Sequence, residues 1–402
     1  MSGAILQLNH RGLQDSYITG NPELNFLHYT YKKHHSFAIQ KSNIHANHTV
    51  DFGRDFEIEI PKKGDFLHKC YLSFTLPPLV KTSGNYAGWT NSIGHAMIDY
   101  IELEIGGLVV DKHYGLYLEL LNELSEKRDS HSDKMIGKFN HIQLLETNAE
   151  SSTTYLVPLK FWFCDLLGSS LPLLALRYCP IKLRVKLRPF SECIVYDGIT
   201  PPSQVNITDF KLITEYVFIE DHMRELFLGQ RHQYLINQCQ MNSTNIQSES
   251  KIHKPEIVFN GMCYEILFVL REVESENNND WFNFSKRNTV INTPITPLLS
   301  KAKFIVDGIE MIDLQDQSFF SLLNSNRFHY NTTDKHVYMI PFSNEPEKWY
   351  QPSGSLNFST VDFSYIYLEM SNNFQDSNLF IFGKTINMIT IHQGTLKLGF
   401  TS

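Results

Sequence analysis

Long unbroken hydrophobic runs are missing from this sequence, as are clustered cysteines and any excess of positive charge. Its most apolar stretch, LVPLKFWFCDLLGSSLPLLAL (156–176), is interrupted by Lys160, Asp165, Ser169, Ser170, Pro158 and Pro172. A membrane helix wants about 20 uninterrupted apolar residues, so this stretch is expected to be a buried segment or loop. The N-terminal MSGAILQLNHRGLQDSY lacks a basic segment followed by a long apolar core, and no secretory signal is expected there. Six cysteines, at 70, 164, 179, 193, 239 and 263, form no CxxC pair and no tight framework spacing. That excludes a disulfide scaffold and predicts reduced, buried thiols in a cytosol-like compartment. The formal charge of −8 argues against a protein devoted to nucleic acid, which needs a concentrated basic surface. Lys32-Lys33-His34-His35 comes nearest to a basic patch and reads as a solvated turn or arm.

Catalytic signatures are absent as well. There is no P-loop, no GxGxxG and no HExxH, and Ser355, in PSGSLNF, lacks the second glycine of a nucleophile elbow. His45 with His48, and His68 with Cys70, are of ligand type, but no second pair stands at zinc spacing. Glu102 and Glu104 alternate on one strand face and are predicted to be solvated rather than to flank a glycosidic bond. No catalytic, cofactor-binding or metal-ligating residue is therefore nominated, no cofactor is expected, and an enzyme is not the expectation. Asparagines 47, 206, 242, 283, 331 and 357 each begin an N-x-S/T triplet. Without a signal segment they are not expected to carry glycans of the secretory kind, and Asn357 sits in a stretch that reads as structured.

What the sequence does contain is strand. Phe 28 and Tyr 19 stand out in a chain of 402 residues whose charged fraction is only 19%. Alternation with a period of two residues marks Phe56–Ile60, Tyr71–Leu76, Ile101–Ile105 and Ile181–Arg188, the last with its charges confined to one face. Gly106-Gly107 and Asp307-Gly308 are two-residue hairpin signals. Ile257–Leu270, Tyr365–Met370 and Phe380–Phe382 read as further strands. Helical pattern is limited to Leu116–Leu124, Phe319–Leu323 and Asp221–Leu228, the last with an acidic first turn and Gly229 just beyond it.

One phrase is written twice. LEIGGLVVDKHYGLYLELLNEL (103–124) and KFIVDGIEMIDLQDQSFFSLLN (303–324) share a strand, a glycine turn, a second strand, an aspartate and an aromatic–apolar run into Leu-Leu-Asn, half a chain length apart. TYLVPLKFW (154–162) and KHVYMIPFS (335–343) repeat a strand that meets a proline. Chance likeness between strand-rich segments competes with this reading, but order and spacing favour duplication. The chain is expected to hold an arm (1–24), a first β domain (25–220), a helical connector (221–232) and a second β domain (233–402), the two domains being sandwiches or jelly rolls.

Specific words then carry a resemblance. TGNPELNFLHYTYKKHHSFAIQ (19–40), TVDFGRDFEIEIPKKGDFLHKCYLSFTLPPL (49–79), IGHAMIDYIELEIGGLVVDKHYGLYLELLNEL (93–124), YLVPLKFWFCDLLGSSLPLLALRY (155–178), NDWFNFS (279–285) and QPSGSLNFSTVDFSYIYL (351–368) occur in order along nearly the whole chain. Together they resemble the major capsid proteins of nucleocytoplasmic large DNA viruses, the group of iridoviruses, phycodnaviruses and mimivirus relatives. The resemblance implies an all-β fold of two tandem eight-stranded jelly-roll β-sandwiches, a double jelly roll, with a few short helices. It implies a structural protein of the virion shell, assembled in the host cell cytoplasm, whose homotrimers form pseudo-hexagonal capsomers of an icosahedral capsid. Implied partners are further copies of itself, neighbouring capsomers, minor capsid or cement proteins and an underlying viral membrane, with no direct nucleic-acid binding. The trimer interface would be large and apolar, above about 1,000 Å², and contacts between capsomers smaller and wetter. Two departures stand out: the loops are short for the family, and Thr360 replaces an arginine common after the NFS word, leaving any salt bridge at that position in doubt. A minor or paralogous double jelly-roll capsid protein remains an alternative. So does a jelly-roll carbohydrate-binding protein, although Trp89, Trp162, Trp281 and Trp349 are widely separated.

Overall fold

The computed structural model describes residues 3–10, 12–21, 34–46, 49–84, 86–125, 130–139, 141–228, 230–286 and 296–400. Two compact units divide the chain, the first ending at Phe37 and the second running from Ala38. In the first, the described residues include helices Gly3–Asn9 and Ser16–Thr19, where no regular pattern was expected. Ala4, Leu6, Gln7 and Leu8 are strong helix formers with no proline among them, which outweighs the missing periodicity.

The second unit is built from strands. In its first half these are β1 (Phe37–His45), β2 (Asp55–Glu59), β3 (Phe66–Leu76), β4 (Ile98–Ile105), β5 (Leu108–Tyr114), β6 (Thr153–Pro158), β7 (Ile181–Leu187) and β8 (Thr208–Ile219). Its second half holds β9 (His232–Ile246), β10 (Ile252–His253), β11 (Met262–Glu272), β12 (Leu299–Val306), β13 (Ile309–Asp316), β14 (Tyr338–Pro341), β15 (Ser364–Met370) and β16 (Ser377–His392). The first half pairs as β1-β8-β3-β6 and β2-β7-β4-β5; the second pairs as β9-β16-β11-β14 and β10-β15-β12-β13. Adding eight to each label converts one order into the other. Each half is a jelly roll, and the fold is the double jelly roll.

The likeness reaches single residues. Gly106 and Gly107 turn the β4–β5 hairpin at φ 63° and 84°, while Asp307 and Gly308 turn β12–β13 at 49° and 81°. Two positive φ values match the right-handed twist of the strands they join. Both hairpins carry a bulge at the same point, between Leu103 and Glu104 and between Phe304 and Ile305. A further irregularity, between Ala302 and Phe304, leaves one extra residue in β13. The offset between the halves grows by one there, from Gly107/Gly308 before it to Asn122/Asn324 after it. Paired prolines align the inner strands: Pro158 lies opposite Tyr71, and Pro341 opposite Glu265. Tyr71, Ser73 and Thr75 therefore occupy the places of Glu265, Leu267 and Val269.

Most sequence expectations hold. Strand β7 buries every second residue from Ile181 to Leu187, and Asp221–Leu228 is the helix that follows β8; its presumed cap Gly229 falls outside the described residues. The expected strand at 257 begins only at Met262, because Gly261 takes φ 78° and breaks the extension. Phe319–Leu323 forms a wide π-type turn that continues into helix Asn324–Phe328. Segment 156–176 proves to be the end of β6, short helical turns and a two-residue strand.

Each roll encloses its own core, Phe74, Tyr155, Trp162 and Leu183 in the first and Phe268, Phe304, Tyr338 and Ile366 in the second. Helix α1 (Gly115–Leu124) starts directly on the end of β5. A Cβ at Gly115 would overlap the carbonyl oxygens of His95 and Ile98, which are backbone atoms with little freedom to yield. Gly115→Ala is expected to destabilise the chain by about 2 kcal/mol, read as a lowered denaturation midpoint; an unchanged midpoint would refute the close approach.

Candidate functional site

Helix α1, LYLELLNEL, is apolar over more than half its circumference, and Glu119 and Glu123 on its remaining side are buried as well, so it is covered on nearly every side. Leu118 points into the core of the first roll. Leu116, Tyr117, Leu120 and Leu124 instead pack with Cys239, Leu267, Val269, Val337, Met339 and Phe382 of the second roll. The helix thus lies on the outer face of sheet β9-β16-β11-β14. This is why β11 is buried along nearly its whole length while its counterpart β3 leaves Lys69, Tyr71 and Thr75 half-buried: a sheet covered on both faces needs apolar residues on both.

Charges are buried in this same joint. Glu119 and Glu123 stand one helical turn apart and share two ammonium groups. Lys335, from the second roll, reaches Glu119 at 3.1 Å and Glu123 at 2.7 Å, and Lys138 reaches them at 3.2 and 2.8 Å. His95 Nδ1 meets Glu119 at 2.8 Å, and Thr333 donates to Glu123 at 3.0 Å. Burial alone would raise the Glu119 carboxyl, but Lys335, His95 and Lys138 hold it well below the usual carboxylate range. The same opposition, burial against Glu119 and Glu123, pushes the Lys335 ammonium upward.

A second cluster lies within the second roll. Glu265 receives His329 Nε2 at 2.5 Å and Lys384 Nζ at 2.8 Å, and His329 Nδ1 pairs with Glu347. Ser125 of the first roll donates to Glu347 at 2.8 Å. Burial works against every charge here, yet mutual attraction prevails. His329 and Lys384 bring Glu265 down to about 2, and Glu265 with Glu347 raises His329 to about 9.

Further links fix the angle between the rolls. Asp111 accepts the Cys239 amide at 3.0 Å, and the Val110 carbonyl accepts the Gln238 side chain. Trp281 donates to the Glu192 carbonyl at 2.8 Å beneath the guanidinium of Arg188, 3.7 Å from the ring centre. Trp349 donates to Asp165 at 3.0 Å, and Asn331 N to the Leu124 carbonyl at 3.0 Å. A cavity of about 600 Å³ opens beside these contacts, lined in part by Trp162, Cys164, Tyr264, Trp349, Glu347 and Lys384. Of the charged side chains on its wall, Glu347 and Lys384 are tied into the second cluster and Asp165 is held by Trp349, while Lys69 and Lys160 also line it.

The ligand-type residues singled out in the sequence are dispersed. His45 lies exposed on β1, and His48 falls outside the described residues. His68 bonds the Phe163 carbonyl at 3.1 Å. The Cys70 thiol, hydrogen-bonded to the free thiol of Cys164 and buried, is pushed far up, away from the thiolate a metal would need. Glu102 pairs with Lys112 at 2.7 Å on the half-wet face of β4. Asn357 accepts the Ser359 amide at 3.1 Å, and Thr360 donates to the Asn357 carbonyl at 2.9 Å, so both hold a turn. Sequence reasoning passed over Glu119, Glu123, Glu265, His329, Lys335 and Lys384. The available signal was a lone charge inside an apolar run: Glu265 in CYEILFVL and Lys384 in FIFGKTINM.

Comparison with known proteins gives a consistent picture. Residues 25–220 match the family described as major capsid protein N-terminus, and residues 224–396 match large eukaryotic DNA virus major capsid protein. The chain is 24% identical to the major capsid protein of Phaeocystis pouchetii virus over 100% of both chains. It is 31% identical to capsid protein 1 of Acanthamoeba polyphaga mimivirus over 67% of this chain and 49% of that one. Its fold superposes on a chain of the PBCV-1 virus capsid with a TM-score of 0.80 at 20% identity, covering 94% of this chain and 100% of the other.

Proposed function

The chain belongs to the major capsid proteins of large eukaryotic DNA viruses, and we propose that three copies of it close into a capsomer of pseudo-hexagonal outline. Members of this family are structural proteins of the virion shell, not enzymes, and this chain acts in that shell. The observation that carries the proposal is the twin strand order, locked into one unit by a buried joint. A shell facet is tiled most simply by blocks with six contact directions. Three chains of two like rolls supply six modules, closed threefold symmetry makes the block finite, and weaker side contacts extend the lattice.

In this reading residues 1–24 are an arm, 25–220 and 233–402 the two capsomer modules, and 221–232 the connector. Minor capsid or cement proteins and an underlying viral membrane are the further partners, without direct nucleic-acid contact. Sedimentation of the purified protein with negative-stain imaging tests the block: three chains with a six-cornered outline are expected, and a persistent single chain overturns it. Deleting residues 1–18 is expected to leave three-chain particles intact but impair shell formation; normal shells from the deleted chain would remove the arm's role.

A further inference from the structure

The joint inside the chain has an unfilled counterpart on its surface. Val110 and Leu120 are 1% and 0% exposed at or beside the joint. Their equivalents in the second roll, Met311 and Leu322, are 52% and 50% exposed. Leu118 and its equivalent Phe320 are both buried in their own cores, so the two hairpin-and-helix units sit alike and only their coverings differ. Leu314, on the strand of Met311, and Leu323, on the turn of Leu322, are exposed as well. The complementary vacancy lies on the first roll. Sheet β9-β16-β11-β14 is covered by α1 at Leu267, Val269, Val337, Met339 and Phe382. In sheet β1-β8-β3-β6 those places hold Ser73, Thr75, Thr154, Leu156 and Lys211, of which Thr154 is exposed, Thr75, Leu156 and Lys211 are half-buried, and Ser73 forms the buried floor.

We propose that the strip Met311, Leu314, Leu322 and Leu323 of one copy seats on the Ser73/Thr75/Thr154 face of a second copy, repeating between chains the joint that each chain makes within itself. This rests on the capsomer reading and adds which surfaces meet. Every chain offers one strip and one receiving face, from different rolls, so the contact is head-to-tail, and such contacts close into a ring where the rotation permits. The two joints are not equal in strength. Ser321 and Ser325 occupy the places of Glu119 and Glu123, so the interchain joint has no equivalent of the buried carboxylate pair that Lys335 enters. Its receiving face offers hydroxyls where the internal one offers Leu267, Val269 and Val337, and Lys211 where the internal one offers Phe382. The interchain joint is therefore the one that opens first, and copies separate as folded single chains.

The test uses M311E/L322E, which spoils the strip, and T154R, which spoils the receiving face. Both alter side chains exposed in the single chain, so folding is spared. The unmodified protein is expected to sediment as three chains and each variant as one, with unchanged circular dichroism. A one-to-one mixture of the variants should give a two-chain species, because one intact strip then meets one intact face. Unmodified protein of three chains with either variant also at three, or a mixture that stays at one, overturns the assignment and leaves the capsomer standing. Unmodified protein at one chain overturns the capsomer and this joint with it. Should either variant misfold, amide exchange in the unmodified three-chain particle decides. Residues 309–323 must be slowed at least tenfold relative to diluted single chains, and equal exchange overturns the assignment.

Discussion

Glu265→Ala is expected to lower the folding free energy by about 3–5 kcal/mol, the loss that follows when a buried ion cluster keeps its cations and loses an anion. Glu265 is fully buried, and its two oxygens take one partner each, His329 and Lys384. Alanine would leave those two cations facing Glu347 alone. Folded domains rest on only about 5–15 kcal/mol, so this one side chain decides a large part of the margin. The cause is separable from simple loss of attraction. Glu265→Leu combined with Lys384→Met removes one charge of each sign and leaves His329 paired with Glu347, so the double variant should recover most of the loss. The first roll already contains such a replacement: Tyr71 and Ile213 stand opposite each other where Glu265 and Lys384 stand in the second. Urea denaturation of the wild type, the single and the double variant measures all three values. A double variant as unstable as the single one would show that packing, not uncompensated charge, is at stake.

How far the sequence could be read follows from the range of each signal. Strand β7 and the glycine hairpins were legible because alternation and positive-φ turns are local. The repeated phrase at 103–124 and 303–324 was legible because duplication preserves order even where contacts diverge. The joint was not, because Leu120 and Leu322 are the same residue in the same local pattern and differ only in what lies above them. Nothing near Leu322 in the sequence announces that it is half exposed. Glu119 carried no signal of its own within Leu116–Leu124, and it is buried because Lys335, more than 200 residues away, comes to meet it. Helix Ile142–Ala149 escaped notice for a different reason: its apolar stripe, Ile142, Leu145 and Ala149, is only two turns long, and of these residues Ala149 alone is buried. Local chemistry fixes the elements, and the partners of a buried charge emerge only when distant segments are brought together.

Those buried charges also give stability a particular dependence on pH. His329 is raised from 6.5 to about 9 by Glu265 and Glu347, against the effect of burial. A histidine raised on folding stabilises fully below its unfolded value and loses that contribution as pH climbs through the folded one. Glu265, lowered to about 2, works in the opposite direction, contributing above about 4.5 and losing its effect only toward pH 2. Lys384, the other cation facing the cluster, is raised by Glu265 far enough to stay charged throughout this range, and Ser125 does not titrate. The cluster should therefore stabilise most between about pH 4.5 and 6.5. A decline on the order of 3 kcal/mol should follow between about pH 6.5 and 9. Buried thiols set the upper limit for a clean test: burial pushes Cys193 up to about 12, so unfolded chains gain free energy from thiolate formation once pH passes about 8.5. Calorimetry between pH 6.5 and 8.5 isolates the histidine. The melting temperature of the wild type is expected to fall across that window, and His329→Gln, less stable at the acid end, should give a nearly flat line. Parallel slopes for the two proteins would assign the decline to some other group and remove His329 from the account.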